Sequence, residues 1–563
     1  MDLLSRLFRY SPRALVAALI TGALSGLCNA GLVSLINDAA HMKDRWAHPR
    51  LIVLFVTLWI LLPVTRMVSS YILTRMGQEA VLRLRMELAR KILTSPFQRL
   101  EGLGAPKLLA ALTDDSETIV RSLTVLPLLL TNTTIFLGCV VYLGILSWKV
   151  LVFFLVALAL GIPVYRVVFN KALHYEKLAR DERDRLWAHL RGLTDGVKEL
   201  KLHSQRKRAF LGSLEGTSEV LKKFYMNGFV YVTGALGWGQ VVIFGVIGCI
   251  LFVFPLMEPM ELKTLTGYVL MVLYIVGPIQ VVMNELPTLG RATVAYNKIQ
   301  RLGFTLEQGG FLGAAADAEV TTSPTWHSLE LDGVALSYHD EEGKSFTLGP
   351  VDFRLRPGEL TFLIGGNGSG KTTLLKLITG LYAPESGEVR FDGQAVTDES
   401  REQFQNQFSA VFADFYLFET LLGLDHPSTD AHAREYLRRL GLHHKVRIEN
   451  GQLSTTALSQ GQRKRLALLT AYLEDRPIYV FDEWAADQDP HFKDVFYHEI
   501  LRELKERGKT VLVISHDDRY YGAADRIVKL QEGRVEYDGP ADAYRRLLQQ
   551  IPVIAPHPSG AAV

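Results

Sequence analysis

At 563 residues and 63.0 kDa the chain exceeds the roughly 250–300 residues at which one hydrophobic core stops growing, so two or more domains are expected. Sixty-one basic residues against 59 acidic ones leave a net charge of +2, which excludes a chain-wide field for nucleic acid, so no nucleic-acid partner is expected. A hydrophobic content of 48%, a charged content of 21% and a mean hydropathy of +0.14 exclude disorder and point to membrane spans, and three cysteines exclude a disulfide scaffold.

Six apolar runs, each long enough for a hydrocarbon core that takes about 20 helical residues, lie before Leu289. They cover Pro12 to Ile36, Leu51 to Thr74, Leu123 to Leu146, Val150 to Phe169, Phe229 to Phe254 and Thr264 to Leu286. Only Ser147, Trp148 and Lys149 separate the third from the fourth, a tight hairpin whose Trp and Lys suit the membrane interface. Lys and Arg crowd the stretches between spans two and three (Arg75 to Lys107) and between spans four and five (Lys171 to Arg208). Those stretches are therefore expected in the cytoplasm, and with them both termini. Arg6, Arg9 and Arg13 precede the first run as they would in a signal peptide, but that run is too long for one and Leu27 is a poor processing residue. The segments Glu79 to Thr94 and Lys171 to Leu190 are polar yet helix-forming, so helices should continue beyond the bilayer.

Polar residues at membrane depth face a cavity or a neighbouring helix. The candidates are Thr131 to Thr134, Gln240, Gln280, Asn284 and Glu285, with Tyr268 and Tyr274 able to stack on a ligand or to pack. Cys28, Cys139 and Cys249 fall within spans and read as small apolar residues. Residues 303–325 turn to Gly, Ala and Thr without apolar period, a linker, and a soluble domain is expected over 326–550, followed by a Pro- and Ala-rich unstructured tail at 551–563.

In that domain the apolar strand Leu360 to Ile364 runs into Gly365-Gly366-Asn367-Gly368-Ser369-Gly370-Lys371-Thr372-Thr373 and then a helical Leu374 to Leu377. This is the pattern of a phosphate-binding loop: glycines let backbone N–H groups close around phosphates, Lys371 reaches the β and γ groups, and the Thr372 hydroxyl suits Mg²⁺. A second strand, Ile478 to Phe481, ends in Asp482 and Glu483, acids placed to hold Mg²⁺ and to polarise an attacking water. A third, Val511 to Ile514, precedes His516, at the carboxyl edge where open α/β sheets bind ligands.

Leu458-Ser459-Gln460-Gly461-Gln462-Arg463, upstream of the Asp482 strand, resembles the signature sequence of ATP-binding cassette (ABC) ATPases. With the phosphate loop, Asp482-Glu483 and His516 in order, that resemblance covers the whole soluble domain. Six spans followed by one cassette resemble the exporter-type half-transporters. The fold implied is a polytopic α-helical membrane domain of the ABC exporter type over residues 1–302, fused to an α/β P-loop ABC ATPase domain. More narrowly, Gln460 and the run Phe481 to Pro490 resemble bacterial exporters of cyclic peptides and peptide siderophores, of the pyoverdine and syringomycin type.

The family pattern implies a role for each matching position. Tyr338 matches the aromatic that stacks on adenine; Gly365, Asn367, Gly368, Ser369, Gly370, Lys371, Thr372 and Thr373 match the phosphate loop; Asp482 and Thr372 match the Mg²⁺ ligands. Glu483 matches the general base and His516 the switch histidine on the γ-phosphate. Ser459, Gln460, Gly461 and Gln462 lie in the signature that completes the ATP site of the opposite subunit, so a homodimer holding two ATP is implied. The resemblance places coupling elements around Gly104 to Asp114 and Leu200 to Phe210. One position departs: Ala413 stands where the family carries a glutamine that contacts Mg²⁺ and water, and Ala can do neither. Asp414 or Gln407 is the available substitute.

The expected function is ATP-driven export of a cyclic peptide or peptide siderophore across a bacterial inner membrane, in contact with lipid and with possible periplasmic or outer-membrane efflux partners. The alternatives are a drug or lipid cargo, siderophore import by the same ATPase, and a membrane-anchored ATPase acting as sensor or scaffold.

Overall fold

A computed structural model describes residues 12–42, 48–257, 261–307, 326–339, 345–424 and 427–550. The expected linker and tail lie outside the described residues, apart from the end of the last membrane helix.

The principal helices are α1 (Pro12–His41), α2 (Pro49–Thr94), α3 (Phe97–Leu103), α4 (Ser116–Leu146), α5 (Trp148–Asp195), α6 (Ser204–Gly248), α7 (Leu262–Glu307), α8 (Lys371–Ile378) and α9 (Gln460–Glu474). Among the described residues, six segments are long and apolar enough to cross a membrane: Val16–His41, Pro49–Thr94, Ala105–Leu146, Trp148–Asp195, Ser204–Leu256 and Leu262–Gly303. At 1.5 Å per residue the 48-residue α5 extends about 70 Å, more than twice a hydrocarbon core of about 30 Å, so the helices do outrun the spans. Between α4 and α5 only Ser147 leaves the helical region, at φ −166° and ψ 125°.

The chain divides into two compact units, one of residues 1–88 and 108–302, the other of residues 89–107 and 303–563. In the first, helices close on small residues. A Cβ on Gly26 would stand 2.6 Å from the Cβ of Thr134, and one on Gly138 would stand 2.8 Å from Ala30, so α1 and α4 approach at glycine. Buried hydroxyls and amides are satisfied across helices: Ser69 donates to the Ala18 carbonyl at 2.8 Å, and Asn37 donates to the Tyr142 hydroxyl at 3.2 Å and accepts from Thr266 at 3.3 Å. Tyr274 donates to Asn29 at 2.5 Å and the fully buried Tyr268 to the Ser147 carbonyl at 3.3 Å, so both tyrosines pack. Thr131 reaches the Gly22 carbonyl at 3.5 Å, while Asn132 and Thr134 bond within α4. Gln280 and Asn284 instead line an apolar cavity with Tyr165 and Trp238, in a helix arrangement where Trp238 donates to the Gly161 carbonyl at 3.2 Å. Cys28 and Cys139 are buried among these apolar contacts.

The second unit contains β1 (Leu329–His339), β2 (Ser345–Leu355), β3 (Leu360–Gly365), β4 (Ser386–Phe391), β5 (Gln394–Ala395), β6 (Phe408–Val411), β7 (Ile448–Glu449), β8 (Gln452–Leu453), β9 (Ile478–Asp482), β10 (Thr510–Ile514), β11 (Arg526–Gln531) and β12 (Arg534–Pro540). An antiparallel sheet of order β2-β1-β4-β5 packs beside a six-stranded sheet of order β12-β11-β3-β10-β9-β6. In the latter β11, β3, β10, β9 and β6 run parallel, and β9 and β10 are buried along their whole length, as strands covered on both faces must be.

The glycine contact between α1 and α4 is testable. Gly26→Leu should lower the Tm in detergent, by a stability cost of about 1–3 kcal/mol for overpacking, while Gly212→Ala, whose Cβ would meet nothing within 4 Å, should leave it unchanged or raise it.

Candidate active site

The site is assembled at the carboxyl edge of the parallel strands. Register does most of this: Ile514 lies opposite both Leu363 and Asp482, so the residues that follow β3, β10 and β9 emerge side by side. After β3 the chain turns through Gly365, Gly368 and Gly370, at φ of +150°, +76° and +97°. A Cβ on Gly365 would lie 2.3 Å from the Leu530 carbonyl oxygen, so glycine is required there by space as well as by conformation. Asn367 and Gly368 are exposed at the crest of the loop, and Thr372 and Thr373 follow Lys371 in the first turn of α8, Thr372 exposed and Thr373 half-buried.

Lys371 is 6% exposed, and its ammonium donates to the carbonyls of Gly365 at 3.0 Å and Gly366 at 2.9 Å. Burial draws its pKa below the ordinary lysine value, and the carboxylates of Glu483 and Asp482 pull against that. Ser369 Oγ is buried without a hydrogen-bond partner inside the loop. A buried cation, an unsatisfied hydroxyl and a helix N-terminus converge on one loop, a setting that suits phosphate oxygens.

Asp482 is 2% exposed, with one carboxylate oxygen, Oδ2, unpartnered. Burial raises its pKa first, then the charges of Glu483 and Asp414, against a hydrogen bond from the Ala413 backbone N–H and the charge of Lys371. An orphaned buried carboxylate oxygen beside a hydroxyl-bearing first turn is a donor set that fits a hard divalent cation. Ala413 thus meets Asp482 through its main chain, although its side chain offers nothing. Asp414 is exposed and near enough for its charge to act on Asp482. Gln407 does not reach in: it lies ahead of β6, its backbone carbonyl accepts from Ile478 at the amino end of β9, and its amide donates to the Gln403 carbonyl at 3.2 Å.

Glu483 leaves the strand in a left-handed conformation, φ +49°, and its Oε1 lies 2.9 Å from His516 Nε2. Both side chains are about 40% exposed, which leaves water access to the pair. The strained turn is held from beneath by Lys464, a residue outside the sequence motifs. Lys464 is 3% exposed; its ammonium donates to the Glu483 carbonyl at 2.8 Å and pairs with Asp487 at 2.8 Å. Its own carbonyl accepts from Trp484 Nε1 at 2.7 Å, and the buried Trp484 ring stacks on Phe496 at 4.3 Å. A lysine on the polar face of a helix carries no spacing signal, so only tertiary structure reveals it.

Lys464 belongs to α9, which begins at the signature. Ser459 caps it, its N–H donating to Gln462 Oε1 at 3.3 Å in a reciprocal capping box, and Gln460 is exposed as the first helical residue. Gly461 accepts from Gln488 at 2.9 Å, and a Cβ there would sit 2.7 Å from the Asp487 carbonyl. Among the described residues no hydrogen bond joins Ser459 to Gln462 to the phosphate loop. Tyr338 occupies β1 opposite Phe346 of β2, and the Phe346 ring stands against Gly370; the Tyr338 side chain lies outside what is described.

Residues 13–279 match the family model of the ABC transporter transmembrane region and residues 348–486 that of the ABC transporter. The chain is 40% identical over 531 residues to the ATP-binding protein SyrD of Pseudomonas syringae pv. syringae, across 92% of this chain and 93% of that protein. The chain belongs to the ABC transporter family. It is an exporter-type half-transporter of that family, a multi-pass membrane ATPase that couples ATP hydrolysis to transport. Partial likeness extends to an ATP-dependent lipid A-core flippase of Burkholderia pseudomallei, 33% identical over 40% of this chain and 38% of that protein. A macrolide export ATP-binding/permease protein, MacB of Salmonella typhi, is 29% identical over 39% of this chain and 35% of its own. Each of these two thus matches the ABC transporter over less than two-fifths of its own length.

If Lys464 holds the Glu483 turn, Lys464→Met should cost about 1–3 kcal/mol of stability by leaving a buried acceptor unpaired. It should also lower kcat for ATP more than it raises KM, as steady-state ATPase assays of the purified transporter would show.

Proposed function

We propose that the chain works as a homodimer exporting a cyclic peptide or peptide siderophore across a bacterial inner membrane, with both termini in the cytoplasm. The observation that carries this reading is likeness along the whole chain. SyrD matches through membrane domain and ATPase alike, and the run Phe481 to Pro490 resembles the peptide exporters. The lipid A-core flippase and MacB match over 233 and 234 residues, too few to include both domains in full, and the cargo is handled by the membrane domain. The activities in their names, lipid A-core flipping and macrolide export, define the competing cargo classes for the same ATPase. The Lys and Arg excess from Arg75 to Lys107 and Lys171 to Arg208 supports the orientation.

In the catalytic step Lys371 and the loop N–H groups hold the phosphates, and Ser369 Oγ has a free valence for one of their oxygens. Thr372 and Asp482 would hold Mg²⁺, which supplies charge neutralisation at the β and γ oxygens. Glu483 Oε1 accepts the proton of the attacking water, and His516, 2.9 Å away, fixes the orientation of that carboxylate and reaches the γ-phosphate. Ser459 and Gly461, which among the described residues share no hydrogen bond with their own phosphate loop, would be presented to the ATP of a second copy. The cost of dimerising only with ATP bound would make closure depend on nucleotide.

Glu483→Gln should keep ATP binding and lose turnover by about 10²- to 10⁴-fold, the usual contribution of a positioned base. Mass spectrometry of spent medium from a deletion strain complemented with wild type or Glu483→Gln tests the cargo. A peptide metabolite released only with wild type is expected, and unchanged peptide metabolites with an altered lipid or drug profile would transfer the assignment to those cargoes.

A further inference from the structure

His516 stands on a turn whose shape is set by its neighbour. The Ser515 hydroxyl accepts from the Asp517 backbone N–H at 3.2 Å, so a serine side chain closes the chain around the histidine. The same oxygen lies 2.7 Å from the Tyr497 hydroxyl, a hydrogen bond in which either group can donate. Ser515 and Tyr497 are both buried whereas His516 is exposed, so the turn is anchored on its buried side and free on the side of the imidazole. A cavity lined by Glu483, Lys493, Tyr497, Ser515, His516 and Asp517 borders the turn. On that face the histidine meets open space, and its turn depends on hydrogen bonds rather than on packing.

Packing instead aims the Tyr497 hydroxyl. Its ring stacks on Tyr520 at 4.2 Å and meets Phe496 at 5.1 Å and Phe362 of β3 at 5.8 Å. Tyr497 sits in a π-helical turn, Val495–Ile500, that follows the short helix Pro490–Asp494, and such turns recur at functional sites. The same stretch holds the other flank of His516: Lys493 pairs with Asp517 at 3.6 Å, and Asp494 accepts from the Tyr520 hydroxyl at 2.6 Å. Burial pushes the Tyr497 phenol up to about 12, so it stays protonated at neutral pH. Among the described residues its oxygen has a hydrogen bond to Ser515 alone. Phenylalanine would fill the same aromatic space without that bond.

We propose that Tyr497 is a positioning residue for ATP hydrolysis, fixing through Ser515 the turn that holds His516 2.9 Å from Glu483. This rests on the role proposed above for His516. Tyr497 touches no reacting atom. It holds an arrangement that the transition state needs and that ATP binding does not, so its loss should act on kcat and leave KM.

The test measures steady-state ATPase of the full-length transporter in lipid nanodiscs, with calorimetry for the ATP Kd. Tyr497→Phe should lower kcat about tenfold, while KM and Kd stay within about twofold of wild type. Ser515→Ala should lose at least as much, and adding Tyr497→Phe to it should change nothing, because both remove one bond. In a His516→Ala background Tyr497→Phe should likewise cost nothing further, whereas a purely structural role would repeat the same loss. Should His516→Ala turn over too slowly to measure, electron cryo-microscopy of Tyr497→Phe with Mg²⁺, ADP and vanadate decides, and should show the imidazole displaced from Glu483. A wild-type kcat in Tyr497→Phe, a loss confined to KM, a full loss repeated on His516→Ala, or an undisplaced imidazole would each overturn the proposal. Wild-type turnover in His516→Ala would refute the histidine's own role and the proposal with it, an outcome distinct from a histidine that matters and a tyrosine that does not.

Discussion

Everything at the catalytic edge depends on the parallel pairing of three buried strands. Leu363 beside Ile514 beside Asp482 fixes where the phosphate loop, His516 and Glu483 leave the sheet, and a slip of one residue would turn Asp482 from the site into the core. The register is secured by apolar burial rather than by the functional groups, since β9 and β10 are buried end to end. The functional groups therefore add their costs on a frame that has already been determined. Those costs are visible: Glu483 at positive φ, Lys371 and Asp482 desolvated, Ser369 Oγ unpartnered. Strain and unsatisfied polarity gathered at one edge are the physical mark of a site prepared for a charged ligand.

The sheet alone does not hold Glu483 in place. The buried ammonium of Lys464 grips its carbonyl, and through Asp487 and Trp484 the same lysine fixes the turn that follows. Because Lys464 sits on α9, the helix capped by Ser459, the signature and the Glu483 turn are joined through one helix. Gly461, tight against the Asp487 carbonyl, closes that junction from the other side. A displacement at the exposed cap would thereby reach the Glu483 turn, although among the described residues no hydrogen bond joins the signature to the phosphate loop of the same chain.

What was legible in the sequence followed from chemistry that is local. Glycines before a Lys-Thr pair, an acid pair after an apolar strand and long apolar runs each carry their own physical warrant, so the phosphate loop, Asp482-Glu483 and the spans could be placed from residues alone. Lys464 was illegible because a buried lysine looks like a solvated one until its partners are known. The Tyr497 contact was illegible for a different reason: its partner, Ser515, lies 18 residues on, beyond β10, and no motif spacing joins the two. The choice between Asp414 and Gln407 was open in one dimension and is narrowed in three, because Gln407 lies at the far end of β9 from Asp482 while Asp414 bears on its charge.

The Ala413 departure is intelligible once main-chain and side-chain roles are separated. What the position must supply to Asp482 is a hydrogen-bond donor that keeps the carboxylate aimed, and the Ala413 N–H does so with any side chain. What is lost is a neutral amide able to touch both a cation and its water, and in its neighbourhood stands Asp414, an anion. An anion raises the local affinity for a divalent cation and, by the same Coulomb term, disfavours a second negative charge on Asp482 when no cation is present. Asp414 therefore bears on Asp482 through its charge, and Ala413 through its main chain.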